Sequence, residues 1–251
     1  MTCTQPLIIA HRGAAKYAPE NTLPAFQKAI DLCVDGVELD LQLTKDKVPV
    51  VIHEETLTPF TTTYPTVQSA PLRALRTIDI GSHFGPAFAG ERVPTLDEVL
   101  ECLRPSALRI NLELKAQPYW HFGLEERVVA AVRNFGMADR VICSSFSPLT
   151  LWRLRRLAPE IPRALLLLPR SFLFLHAKCS GKITGIANVH LHTKALSAAW
   201  MALAATRGWH VWVWTANTRE EMQAAAAAHV EAIITDDPLL AREVLRSDHA
   251  L

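Results

Sequence analysis

The chain has 251 residues, of which 49% are hydrophobic and 20% charged, and its formal net charge is +1. The apolar share is enough for a large core. The near-neutral balance gives no reason to expect a nucleic-acid surface, although it is compatible with a local basic pocket.

Eight short β-type runs recur along the chain, and amphipathic helical patterns lie between successive runs. The runs are residues 7–10, 37–43, 108–114, 141–144, 164–168, 186–191, 210–214 and 232–235. This alternation predicts parallel strands joined by helical crossovers. No linker-like segment divides residues 1–251, so we expect a single-domain (β/α)₈ TIM barrel. A doubly wound open sheet is the alternative, because periodicity does not report closure.

His11 and Arg12 directly follow the first apolar run. Catalytic groups of barrel enzymes collect at the ends of such strands. A strand-end histidine can equally be a hydrogen-bonded structural residue. Beside an arginine, and opposite acids and a second histidine, we expect His11 to form a general acid–base pair with His53. Arg12 suits bidentate phosphate binding.

Residues 20–22 (ENT) precede a helical pattern. Capping of that helix by Asn21 or Thr22 explains much of this motif. Glu20 is not needed as a cap, so we expect it to orient the strand-end loop or the site. Glu20 and Asn21 are therefore predicted supporting residues.

Glu38 and Asp40 flank Leu39 in an otherwise apolar strand. Their spacing places both carboxylates on the same side of the strand. Buried acids need a cation, a base or water, and carboxylate oxygens are natural ligands of Mg²⁺ or Ca²⁺. Salt bridges to a neighbouring Arg or Lys, or a solvated rim, are the alternatives.

A polar turn at residues 44–47 (TKDK) separates this strand from the run at residues 48–53 (VPVVIH). The connection is too short for a helical crossover, so the two runs should form an antiparallel hairpin. If the turn centres near Asp46, His53 returns to a position beside Glu38 and Asp40.

Asn111, Glu113 and Lys115 alternate with two leucines in the next strand. If the leucines pack against helices, the polar residues point into the barrel near its C-terminal rim. Two strands that direct acids to one place favour a metal site made of Glu38, Asp40 and Glu113.

Helix starts are readable later in the chain. Residues 95–98 (TLDE) and 218–221 (TREE) are capping boxes, with Thr at the cap and Glu three residues on. Residues 236–238 (DDP) are interpreted as a loop and helix cap.

Several other features have weaker functional interpretations. Residues 172–175 (FLFL) would line a hydrophobic substrate channel or, more commonly, pack in a core or lid. His190 and His192 share one strand face, but no carboxylate accompanies them for a second metal site. Trp212 is expected in the core, whereas Trp214, at the rim, is a candidate wall for an alcohol or glycerol group.

The five cysteines are widely spaced and include no CxxC pair. This favours free thiols in a reducing compartment over a disulfide framework or structural zinc. The N-terminal residues lack a secretory signal, and no apolar window reaches the roughly 20 residues of a membrane span. We therefore expect a cytoplasmic protein without stable membrane insertion.

The sequence resembles the glycerophosphodiester phosphodiesterase family, of which the cytoplasmic bacterial type is similar in length. The resemblance rests on ordered motifs that cover nearly the whole chain: residues 11–13 (HRG), 19–22 (PENT), 36–40 (GVELD), 44–46 (TKD), 50–53 (VVIH), 90–96 (GERVPTL), 113–115 (ELK) and 234–236 (ITD). Each motif is weak by itself, whereas the ordered set is specific.

The resemblance implies a barrel that hydrolyses glycerophosphodiesters to sn-glycerol 3-phosphate and an alcohol. It also implies one divalent cation, Mg²⁺ or Ca²⁺, and a set of site residues. The metal ligands are Glu38, Asp40 and Glu113, the acid and base are His11 and His53, and the phosphate contacts are Arg12 and Lys115. The resemblance leaves open a contact of His53 with the metal.

The chain departs from the family pattern in two places. Glu54 follows the second histidine, where the family usually has Asp, and residues 58–63 (TPFTTT) replace a usual Arg-Thr-Thr run. These departures bear on the leaving group more than on the chemistry. The alternatives are cleavage of lysophospholipids in the manner of a phospholipase D and a barrel that binds phosphodiesters without turnover. The sequence does not choose the metal, the alcohol or the oligomeric state.

Overall fold

A computed structural model describes residues 5–58, 61–115, 123–169 and 183–247. Eight parallel strands form a closed barrel, because β1 pairs with both β2 and β9. The strands are β1 Leu7–Ala10, β2 Gly36–Leu43, β4 Arg109–Leu114, β5 Val141–Ser145, β6 Arg163–Leu167, β7 Asn188–His192, β8 His210–Trp214 and β9 Ala232–Thr235, with β3 Pro49–Val51 outside the ring. The predicted TIM barrel is confirmed, and the open-sheet alternative is excluded.

Helices alternate with the strands and cover the barrel. They are α1 Leu23–Asp31, α2 Leu72–Leu75, α3 Leu96–Leu103, α4 Leu124–Asn134, α5 Pro148–Leu157, α6 Ala198–Arg207, α7 Arg219–Ala227 and α8 Pro238–Ser247. Both predicted capping boxes are present, at Thr95 and Thr218. Asp237 caps α8 by accepting a bond from the Leu240 amide. In the part of the chain that the structure describes, no helix combines the length and apolar character that crossing a bilayer requires.

Strand alternation divides the barrel into two apolar regions. The outward side chains of β2, including Leu39 and Leu41, are fully buried in the main core, which also contains buried helix residues such as Phe26 and Leu100. A smaller cluster that includes Ile9 and Trp212 is formed by strand residues on the other face. The inward positions toward the strand ends are polar, and those side chains form the candidate site.

The predicted hairpin after the second strand is confirmed. Strand β3 runs antiparallel to β2, with Leu41 opposite Val51 and Leu43 opposite Pro49. The Ile52 amide continues the pairing by bonding the Asp40 carbonyl. The segment after β3 has its own small apolar cluster, made of Val50, Ile52, Leu57, Val67, Ala70, Leu75, Ile78 and Val93. This cluster anchors the segment between β3 and α3 beside the barrel mouth.

Candidate active site at the strand ends

Three carboxylates from two neighbouring strands meet inside the barrel. Strand register places Glu38 beside Asn111 and Asp40 beside Glu113. One oxygen from each of Glu38, Asp40 and Glu113 lies within 4.8 Å of the other two. Glu38 Oε1 is buried and has no hydrogen-bond partner among the residues that the structure describes. A buried carboxylate oxygen without a donor is costly, so this cluster suits a bound cation.

Two basic side chains adjoin these acids. Lys115 Nζ lies 2.7 Å from an Asp40 oxygen and 2.6 Å from a Glu113 oxygen. Arg12 Nε lies 3.2 Å from the other Asp40 oxygen. Asp40 therefore has both cations as direct partners, whereas the hydrogen bond that the described residues give to the Glu38 side chain comes from the Arg12 backbone amide, at 3.0 Å.

These surroundings separate the proton affinities of neighbouring acids. Burial and the charge of Asp40 raise the pKa of Glu38 to about 8. Burial also acts to raise the pKa of Asp40, but Lys115 and Arg12 outweigh it and lower that pKa to about 2. Asp40 is thus fixed as an anion, and Glu38 is the carboxyl whose charge needs an added cation.

The loop after β1 places His11 and Arg12 at the mouth of the barrel. Arg12 has a φ of 54° and Gly13 a φ of 79°, so the chain turns sharply at the strand end. A Cβ at Gly13 would lie 2.8 Å from the backbone of Ala25, which makes glycine necessary there. This turn directs the Arg12 amide at Glu38 and the Arg12 side chain at Asp40.

The residues predicted to support the site contact it directly. Glu20 Oε1 accepts a bond from Arg12 Nη1 at 2.7 Å. Asn21 Nδ2 donates to Asp40 at 2.9 Å. The choice of cap for α1 is settled, because Thr22 accepts from the Ala25 amide. Asn21 is thereby left to hold Asp40.

His11 has a partner that sequence reasoning missed. Its Nδ1 lies 2.6 Å from Asp236 Oδ1, and Asn217 Nδ2 donates to the other Asp236 oxygen at 2.5 Å. The interpretation of residues 236–238 as loop and cap holds for Asp237 but is incomplete for Asp236. Burial acts to lower the pKa of His11, but the bond to Asp236 and the charge of Glu38 raise it overall.

His53 reaches the site through the hairpin, as the turn position predicts. It follows Ile52, whose amide bonds the Asp40 carbonyl. Buried Gln42 holds this stretch, because its Nε2 donates to the carbonyls of Ile52, His53 and Glu54 at 3.1, 3.2 and 2.9 Å. Burial lowers the pKa of His53, although Asp40 opposes the shift.

An aromatic group lies on the opposite side of the barrel mouth. Trp214 makes edge contacts with Phe146 and His192, with ring centroids 5.7 and 5.1 Å apart. Its Nε1 donates to the His190 carbonyl at 3.0 Å. Sequence reasoning had no signal that Phe146 would join this group. The proposed channel at residues 172–175 lies outside the described residues.

His190 and Trp212 are packed inside the barrel rather than at its mouth. The His190 ring is fully buried and stacks on Trp212 at 4.7 Å. Burial lowers the pKa of His190 to about 3, so the ring is neutral. Trp212 lies in the interior apolar cluster, as expected.

The amino-acid sequence matches a known protein family. A family model described as the glycerophosphoryl diester phosphodiesterase family matches residues 11–240. The chain belongs to this family. It is therefore an enzyme of the phosphodiesterase class, as its motifs predict.

Relatives in the family match over almost their full length. The chain is 35% identical over 236 residues to a glycerophosphodiester phosphodiesterase of Caldanaerobacter subterraneus subsp. tengcongensis, covering 92% of this chain and 94% of the relative. A phosphodiesterase of Oleispira antarctica, solved in complex with the product sn-glycerol-3-phosphate, superposes with a TM-score of 0.82 at 27% identity, covering 96% and 97% of the two chains. A glycerophosphodiester phosphodiesterase of Agrobacterium tumefaciens superposes with a TM-score of 0.79 at 29% identity, covering 95% and 99%.

Proposed function

We propose that this enzyme hydrolyses glycerophosphodiesters to sn-glycerol 3-phosphate and an alcohol, with a divalent cation held by Glu38, Asp40 and Glu113. The observation that carries the proposal is the acid cluster, in which the buried Glu38 Oε1 receives no hydrogen bond from the described part of the chain. The sn-glycerol-3-phosphate bound to the Oleispira antarctica relative supports the same product here.

Charge explains why the site needs a cation. Three carboxylates face two fixed cations, Arg12 and Lys115, so the cluster keeps about one negative charge when every carboxyl is ionised. A phosphodiester is also an anion and would be repelled. With Mg²⁺ or Ca²⁺ bound, the cluster becomes net positive, and the cation supplies Lewis-acid stabilisation of charge on the phosphoryl oxygens.

Arg12 and Lys115 are the proposed phosphate contacts. Both side chains are held at the acid cluster by ion pairs, at 3.2 Å and 2.7 Å from Asp40. Such fixed donors reorganise little when charge develops on the substrate. The Glu20 and Asn21 contacts hold Arg12 and Asp40 in place for this role.

His11 and His53 are the proposed proton-transfer residues. One removes a proton from the nucleophile, either water or a glycerol hydroxyl, and the other donates a proton to the departing alcohol. If the glycerol hydroxyl attacks, the product of this step is a cyclic phosphodiester, which water then opens to sn-glycerol 3-phosphate with the two proton-transfer roles reversed. Asp236 orients His11, and Gln42 holds the backbone at His53. Each proton-transfer role is typically worth about 10²–10⁴-fold in rate.

The proposal also assigns the glycerol group to the aromatic wall formed by Trp214, Phe146 and His192. An indole face suits the carbon atoms of a small polyol, while its N–H is already satisfied by the His190 carbonyl. This wall lies on the β5, β7 and β8 side of the barrel.

The first test is an enzyme-coupled assay for glycerol 3-phosphate with glycerophosphocholine as substrate. We expect product formation that EDTA abolishes and that added Mg²⁺ or Ca²⁺ restores. Activity that is unchanged by EDTA would contradict the cation assignment. Release of choline from lysophosphatidylcholine, but not from glycerophosphocholine, would favour the phospholipase D alternative.

The paired variants His11→Ala and His53→Ala test the proton-transfer roles. Each variant should keep the fold, measured by circular dichroism, and lose turnover by about 10²-fold or more. The matched control is His229→Asn, because His229 is exposed and its φ of 56° is a conformation that Asn tolerates. Near-wild-type rates in either alanine variant would refute its assignment.

A further inference from the structure

A cavity adjoins the site at Arg12 and His53. It has a volume of about 390 Å³, and Arg12, Asn21 and His53 form one of its walls. The lining also includes Asp79 and His83, which belong to the segment between β3 and α3. The volume is within the range of small-molecule pockets. A diester has two alcohol groups, and the described lining of this cavity contains none of Trp214, Phe146 and His192, so the cavity is distinct from the aromatic wall.

The cavity carries an excess of negative charge. Its lining contains three acids, Glu20, Glu54 and Asp79, against one fixed cation, Arg12. Arg12 is engaged with Glu20 at 2.7 Å. Three acids against one guanidinium leave the lining with an excess of acid, and this sign is opposite to the sign that a phosphate group requires.

Asp79 and Glu54 differ in their surroundings. Asp79 accepts bonds from the Ser82 hydroxyl and the amides of Ser82, Gly81 and Gly90, which hold its pKa below the usual range. Glu54 is 45% exposed, and the ion partner that the structure gives it is His53 Nδ1, at 3.9 Å.

Glu20 and Glu54 are also close enough to bind the same nitrogen atom of a substrate. A carboxylate oxygen of Glu20, a carboxylate oxygen of Glu54 and a ring nitrogen of His53 all lie within 4.8 Å of one another. Charge-assisted N–H···O bonds are about 2.8 Å long, so one ammonium nitrogen reaches two oxygens up to about 5.6 Å apart. The spacing of Glu20 and Glu54 therefore fits a group with several N–H donors.

Resting on the proposed function, we propose that this cavity is the leaving-group subsite and that it selects alcohols carrying a primary ammonium, as in glycerophosphoethanolamine. Glu54 is the specificity-determining residue, and Glu20 is its partner. A quaternary ammonium is best held by aromatic faces. Among the described residues that line the cavity there is no Trp, Tyr or Phe. A primary ammonium is therefore the better match.

The test compares kcat/KM for glycerophosphoethanolamine, glycerophosphocholine and glycerophosphoglycerol at saturating divalent cation. The variants are Glu54→Gln and Glu54→Lys. The matched control is Glu55→Gln. Glu55 is the next residue in the chain, its side chain is exposed and it is not among the residues that line the cavity, so this variant removes the same charge outside the cavity. All four proteins are first compared by circular dichroism.

The wild type should prefer the ethanolamine diester over the glycerol diester. Glu54→Gln should lower kcat/KM for the ethanolamine diester by about two- to fivefold, the effect of one partly exposed ion pair. The same change should leave the glycerol diester unaffected and reduce the choline diester less. Glu54→Lys should reverse the preference, and Glu55→Gln should match the wild type.

Three results would overturn the inference. The first is equal use of all three diesters by the wild type, and the second is an equal loss on the choline diester in Glu54→Gln. The third is a shift of the metal titration for every substrate, which would assign Glu20, His53 and Glu54 to a second divalent cation. Absence of hydrolysis with any diester would instead refute the proposed function.

Discussion

Asp236 Oδ1 lies 2.6 Å from His11 Nδ1, and the two residues come from opposite ends of the chain. Because Nδ1 is engaged in this way, Nε2 is the ring nitrogen left to face the acid cluster, 3.9 Å from Glu38 Oε2. A carboxylate on one nitrogen fixes the tautomer and ring orientation of a histidine. Asp236 is thus a positioning residue for the proposed acid–base chemistry.

We predict that Asp236→Asn lowers kcat by about 10²-fold, because the amide weakens control of the His11 tautomer and ring orientation. The apparent pKa that His11 contributes to the pH–rate profile should fall in this variant, since the bond to Asp236 raises the pKa of His11. The control is Asp97→Asn, which changes an exposed acid in the first turn of α3. An unchanged profile with reduced kcat would leave Asp236 only a structural role.

Removing the charge of Glu38 should weaken cation binding. We predict that Glu38→Gln raises the Mg²⁺ or Ca²⁺ concentration for half-maximal activity by about 10-fold or more, as expected for loss of a metal-supporting group. The stabilisation of the fold by added cation, measured as a rise in Tm, should shrink in parallel. Glu101→Gln, an exposed position on α3, is the control. Identical titrations for Glu38→Gln and the wild type would remove Glu38 from the ligand set.

Cation binding should depend on pH through Glu38. Burial and Asp40 raise its pKa to about 8, so its carboxyl holds a proton at pH 7 that a bound cation must displace. The affinity for cation should therefore rise by about tenfold per pH unit between pH 6 and pH 8 and level off above that range. Calorimetric titrations in buffers of different ionisation enthalpy would measure both the affinity and the released proton. A pH-independent affinity in the wild type would contradict this coupling.

Gln42 should couple the stability of the hairpin to activity. In Gln42→Leu the carbonyls of Ile52, His53 and Glu54 lose their shared donor inside the protein. We predict a decrease of about 1–3 kcal/mol in the free energy of unfolding, measured with urea, and a fall in kcat as His53 loses its position. Gln27→Leu on the exposed face of α1 is the control. Full activity in Gln42→Leu would show that the hairpin holds His53 without this amide.

The order of apolar runs and helical patterns determined the parallel strands and their helical connections, because parallel neighbours need crossovers. Local spacing likewise determined that Glu38 and Asp40 share a face, since alternate residues of a strand point the same way. The turn position predicted the return of His53 toward these acids. These features depend on residues that are close in the chain.

Only the tertiary structure decided the contacts between distant segments. Closure of the eight strands into a ring was decided by the pairing of β1 with both β2 and β9. Asp236 meets His11 because β9 pairs with β1 to close the barrel. Phe146 meets Trp214 across separate strands, and Gln42 reaches the carbonyls beyond β3. Periodicity reports which face a side chain occupies, whereas the distance between two side chains from remote strands depends on closure, register and the conformations of the connecting loops.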